Sequence, residues 1–333
     1  MPSNRIITHK RIQRCGQLCL CILLCLTLLA ACGGKSDRKV HFLRFEHLLF
    51  ETPSDKLPAE LKAHHEEFDT ELLMIDPDEP EYIRMVQEFA ADPVMRDIYH
   101  ITDSLYHDLS DIERNLGRAL DRAYKLCPNM EHIKRFYTMV SGDFIPDYRI
   151  YTNDIDLCIC IDQYAIGAMG KYQYFGVPNY MVRTLNREFI VPDCMMTLAT
   201  PAIPEGDLTL LDYAVAEGKK LYFVEKTIPS IADTILLHYT KEQLDWMEHN
   251  EANVWTWLIE NKTLYSTDHS AWRNLVGEAP HTNAFGNDSA PRTVSYIGWK
   301  IVKQYMKTSG SSVEELMSET DSQKILTKSG WRP

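Results

Sequence analysis

No histidine in this 333-residue chain stands four places after another. The i,i+4 pair that grips zinc on one helix face is therefore missing, although twelve histidines are present. There is no G-x-S-x-G elbow and no G-x-x-x-x-G-K loop. Those absences remove the sequence signatures of a hydrolase nucleophile and of a phosphate cradle. His65-Glu66-Glu67-Phe68-Asp69 starts like a zinc-protease motif but lacks the second histidine, and its charged surroundings suit a solvated helix face. Asp268-His269-Ser270 is a local coincidence, because triad members meet in space and not in sequence. Positive charge is scarce too. The net charge is −12, and −16 once Arg5, Lys10, Arg11 and Arg14 are set aside, which argues against nucleic acid as a partner. Repeats and long linkers are absent, and 45% hydrophobic with 25% charged residues excludes disorder.

The first acidic residue is Asp37. Before it come the four basic residues just named and then an apolar run, Leu18 to Ala31, that ends in Leu29-Ala30-Ala31-Cys32-Gly33-Gly34. The run is shorter than the ~20 residues a spanning helix needs, so it reads as a signal peptide over 1–31. Small residues before a cysteine form a bacterial lipobox, and Cys32 is the expected lipidation site. At ~0.8 kcal/mol per buried methylene, palmitate-length acyl chains there would hold the chain to the lipid bilayer almost irreversibly. Gly33-Gly34-Lys35-Ser36-Asp37-Arg38-Lys39 lacks apolar periodicity, which predicts a flexible tether over 32–39. Glycine and not aspartate at 33 favours the outer membrane, and the absence of an acidic cluster after Cys32 favours a periplasm-facing position. Four cysteines remain downstream: Cys127, Cys158, Cys160 and Cys194. In an oxidising compartment they allow one or two disulfides. Cys158 and Cys160 point to one face of a strand, however, and suit small buried apolar residues better than a mutual bridge.

Residues 40–333 read as a single large α+β domain, mainly helical. Val40 to Phe50 is apolar-rich and partly alternating, the pattern of a strand or an extended docking segment. Helical spacing then dominates 55–127. It includes one apolar face from Val94 to Ala123 that runs for about eight turns and bends near Ser110. A small antiparallel sheet is expected at about 134–162, from the runs Phe136 to Val140, Tyr148 to Tyr151 and Asp156 to Ile161. Helices return over 180–333. Thr240 with Gln243 and Ser312 with Glu315 form capping boxes that start two of them.

Two carboxylates stand out. Glu251 falls on the apolar stripe of Leu244, Met247, Val254, Trp255 and Leu258. Glu217 precedes Gly218, which lets a neighbour approach its helix closely. A shared pocket would raise both pKa values and suit acid and base work, whereas pairing of each with a cation would mark a structural role. Trp246, Trp255, Trp257, Tyr265 and Trp272 would line a cleft for peptide or glycan if exposed together, but aromatics at helical spacing belong more often to a core.

Taken in order, the lipobox, Phe42-Leu43-Arg44-Phe45-Glu46, the run from Thr209 to Phe223, Asn250-Glu251 with Trp255, Leu264-Tyr265-Ser266-Thr267 and Tyr296-Ile297-Gly298-Trp299-Lys300-Ile301-Val302 resemble the gliding-motility lipoprotein B (GldB-like) family of Bacteroidetes. That family is distantly similar to gluzincin-type zinc peptidases, in which a helix with two ligand histidines precedes a Glu-Gly helix that supplies the third ligand. Glu217-Gly218 falls at the third-ligand position. The segment about 24 residues upstream reads Pro192-Asp193-Cys194-Met195-Met196, without histidine. The resemblance thus implies a degenerate metallopeptidase scaffold with no metal or other cofactor. It also implies a non-catalytic, membrane-anchored component of gliding motility or the associated secretion machinery, with protein partners in a cell-envelope complex. A hydrolase using Glu217 and Glu251, or a periplasmic peptide- or glycan-binding lipoprotein, are the alternatives.

Overall fold

The computed structural model describes residues 38–145, 148–170 and 175–333. The signal segment and Cys32 lie outside the described residues. Arg38–Pro333 forms one unit by its internal contacts.

The chain opens with strand β1 (Phe42–Arg44) and turns at once into α1 (Phe45–Glu51). Only three residues of the expected extended segment are strand. The rest coil because Phe45, Leu49 and Phe50 bury one helical face. Helices α2 (Leu57–Ala63), α3 (His65–Phe68) and α4 (Pro80–Ala91) follow. The long apolar face beyond them is two helices, α5 (Pro93–Tyr106) and α6 (Ser110–Leu126). At the break the Asp108 carboxylate accepts the backbone N–H of Ser110, an Asx turn that competes with the helical ladder. Gly117 of α6 sits under the incoming chain: a Cβ there would meet the Arg38 carbonyl oxygen at 2.7 Å. Arg38 itself lies 3.4 Å from Asp121 and over the Tyr124 ring, so the end of the expected tether is docked on α6.

Strands β2 (Arg135–Met139), β3 (Ile150–Thr152) and β4 (Asp156–Cys160) complete a four-stranded sheet in the order β1-β2-β4-β3. The sheet is mixed and not antiparallel. β1 and β4 both run parallel to β2, with Phe42 opposite Phe136 and Phe136 opposite Leu157, and only β3 and β4 pair as an antiparallel hairpin. The reason is connection length. Six helices separate β1 from β2, which is crossover enough for parallel pairing, whereas β3 and β4 are joined by three residues and can only reverse. Cys158 and Cys160 on β4 are free and fully buried, as is Cys194, and the free thiol of Cys127 is buried with slight exposure.

The C-terminal half stacks α7 (Asn179–Val182), α8 (Ile190–Leu198), α9 (Leu210–Thr227), α10 (Asp233–Leu236), α11 (Lys241–Glu260), α12 (His269–Val276), α13 (Thr293–Ser309), α14 (Val313–Ser318) and α15 (Ser322–Ser329). Both expected capping boxes form, and a third, Thr209 with Asp212, starts α9. The helix pair α9 and α13 crosses at its two glycines. A Cβ on Gly218 would lie 2.3 Å from the Gly298 carbonyl, and one on Gly298 only 1.7 Å from the Ala214 oxygen. The close approach expected at Gly218 is present, and its partner is another glycine.

Candidate functional site

Helix α8 is almost wholly apolar and buried, and Asp193 is its one charged residue. A carboxylate in that setting is retained only if it is paired. Its partners come from three other segments. Arg149 Nε lies 2.9 Å from Oδ2, the Tyr164 hydroxyl donates to the same oxygen at 2.8 Å, and His238 Nε2 lies 3.2 Å from Oδ1. Burial alone would raise the Asp193 carboxyl. The Arg149 charge and the His238 and Tyr164 hydrogen bonds outweigh it and hold the group below the usual carboxylate range. His238 is pushed down by its own burial, against the pull of Asp193, so its imidazole is neutral at neutral pH. An ionised carboxylate only accepts, so Nε2 carries the proton and Nδ1 is the basic nitrogen.

Arg149, Asp193 and His238 border a cavity of about 360 Å³ that Glu217, Glu278 and Arg292 also line. Glu217, on α9 one residue before the helix crossing, holds Lys220 at 2.9 Å. Glu278 holds Arg292 at 3.1 Å, and Arg292 also donates to the Leu237 carbonyl at 2.6 Å. Three carboxylates thus meet three cations. His238 and Arg292 are both non-glycine residues in the left-handed region, at φ 56° and 46°. Backbone strain of ~1–3 kcal/mol each is kept only where the surroundings over-determine it. Tyr239, whose hydroxyl donates to the Pro291 carbonyl at 2.9 Å, and the edge of Phe189 against the His238 ring supply part of that frame.

Of the two candidate carboxylates, only Glu217 lines this cavity. Glu251 lies elsewhere, 3.2 Å from Lys300 and accepting the Tyr296 hydroxyl at 3.1 Å. The structure does not bring the two together, and each is matched with a cation. Among the described residues, no three His, Cys, Asp or Glu side chains converge in an arrangement that could hold a metal ion. The aromatic candidates are packing residues apart from Tyr265, which is exposed. Trp272 is buried with its indole N–H on the Ser266 carbonyl, Trp246 and Trp257 flank Phe285, and Trp255 meets Trp331 edge-on. Sequence reasoning missed Arg149, His238 and Arg292. It missed Asp193 as well, although a single acid in an apolar run was the signal that could have marked it.

Among the described residues no helix is long and apolar enough to cross a membrane. No curated protein and no solved structure matches the chain. The family described as gliding motility protein GldB matches residues 34–333, and the chain belongs to that family of gliding-motility lipoproteins.

Proposed function

We propose that this protein is a non-catalytic binding or assembly component of the cell envelope, connected with gliding motility or the associated secretion machinery. It is held to the outer membrane, facing the periplasm, by acyl chains on Cys32. The observation that carries the non-catalytic part is the cancelled charge of the cavity. Asp193, Glu217 and Glu278 are paired with Arg149, Lys220 and Arg292, which leaves no unpaired carboxylate there to act as a base, and the neutral imidazole of His238 beside them is tied to Asp193. On this reading α8 and α9 keep the helix pair of a gluzincin-like scaffold while ion pairs occupy the place of its chemistry. Family membership supports the link to motility, and the lipobox supports the anchor.

The test is crosslinking and pull-down from membranes of cells that carry the intact chain or a Cys32→Ala variant. Recovery of motility or secretion components with the anchored form alone is the expected result. Recovery by both forms alike, or turnover of a peptide substrate by the purified protein, would overturn the proposal.

A further inference from the structure

On a chain with a net charge of −12, the outer face of α6 is cationic. Arg114, Arg118, Arg122 and Lys125 are exposed and recur at i, i+4, i+8 and i+11, which places them along one stripe. The two acids on that stripe are already matched by arginines from other segments, Asp111 by Arg187 and Asp121 by Arg38. The stripe therefore keeps its positive excess. Beside it opens a groove of about 590 Å³, lined by Arg118, Arg122 and Arg187 together with Ile228, Ile231 and Ile235, and also by Asp111 and Glu188.

The position of the stripe gives it a direction. The described chain begins at Arg38, which lies against Gly117 and Asp121 of this same helix. Cys32 is six residues upstream, and six extended residues reach about 20 Å at most. A lipid on Cys32 would thus keep α6 within that distance of the bilayer.

We infer that the Arg114–Lys125 face of α6 docks on an anionic phospholipid surface and fixes the orientation of the domain on its membrane. The inference rests on the Cys32 anchor of the proposed function. A lipid chain delivers the domain, and the cationic stripe supplies the second, oriented contact. Each basic residue near an anionic leaflet contributes about a fivefold preference, so loss of three lowers the docked-to-free ratio on the order of 100-fold.

The experiment uses the acylated chain in phosphatidylcholine vesicles with or without phosphatidylglycerol. A nitroxide is placed on the stripe through Asn115→Cys, or on exposed Thr256 of α11 through Thr256→Cys as the remote control. The four native thiols of the domain are buried, so labelling is selective. With phosphatidylglycerol the Asn115→Cys label is expected to lose access to an aqueous relaxant. It should regain access in high salt and in the triple variant Arg114→Gln, Arg118→Gln, Lys125→Gln, while the Thr256→Cys label stays open throughout. Equal access in the two lipids, or protection that survives the triple variant, would overturn the docking. Co-flotation of the same samples reports the anchor separately: protein that fails to float refutes lipidation, and protein that floats with an open stripe refutes docking alone.

Discussion

Substituting Gly298 by alanine tests the central helix crossing. The new Cβ would sit 1.7 Å from the Ala214 oxygen, where ordinary contact begins at 3.4 Å, so α9 and α13 must part by about 1.7 Å. Neither side can yield locally. The obstacle is backbone, and both helices are embedded through Ala214, Val215, Leu221, Val294, Ile297 and Ile301. A gap of ~0.5–1 Å already forfeits a quarter to a half of each dispersion contact, and this gap is wider. Overpacking a core costs ~1–3 kcal/mol and more when backbone must move, while alanine returns only ~1 kcal/mol of helix propensity. The expected net loss is about 3 kcal/mol, read from urea unfolding with an unchanged slope. Gly218→Ala should cost a similar amount, since its Cβ meets Gly298 at 2.3 Å. The double variant should cost less than the sum, because helices already parted accept the second methyl more cheaply. A loss under about 1 kcal/mol for Gly298→Ala, or strict additivity, would refute this account.

Two further predictions concern buried titratable groups. Burial raises Asp162 to about 6 from 3.8, against hydrogen bonds from Ser141 and the Gly142 N–H. Its folded form therefore binds the proton more tightly than the unfolded chain does. That contribution is full below 3.8 and is lost as pH rises to about 6, worth up to ~3 kcal/mol. Asp162→Asn should flatten this part of the stability profile, and an identical slope in the two proteins would exclude the assignment. At His238, alanine removes a hydrogen bond to an ionised buried carboxylate, a loss of about 2 kcal/mol. Asparagine keeps a donor and tolerates the left-handed backbone, so His238→Asn should lose less than half as much in the same unfolding assay. Equal losses would mean that neither the bond nor the φ of 56° matters.

The helices were legible where local chemistry decides them. Thr240 with Gln243 and Ser312 with Glu315 mark helix starts by an exchange of hydrogen bonds within four residues, and both starts stand where the sequence places them. The sheet was legible in its strands but not in its pairing. The period-2 runs near 136 and 156 locate strands, yet nothing local says that β1, more than 90 residues upstream of β2, comes back beside it in parallel. The break between α5 and α6 was only half legible. The apolar face continues across it, and the interruption comes from one aspartate side chain at 108 competing for a backbone N–H.

The candidate site shows a different limit. Glu217 could be singled out because helix periodicity and a following glycine are properties of one segment. The groups that define the cavity, Arg149, Asp193, His238 and Arg292, sit successively 44, 45 and 54 residues apart in sequence, and each is unremarkable in its own surroundings except Asp193. What makes them a site is mutual: Asp193 is ionised only because Arg149 and His238 reach it, and His238 is neutral only because it is buried there. A helix pattern reports which face is apolar, but it does not report which cation will cancel which acid. The proposed non-catalytic reading rests on that cancellation. The pairing of all three carboxylates is the physical support for the proposed reading of this cavity as a scaffold.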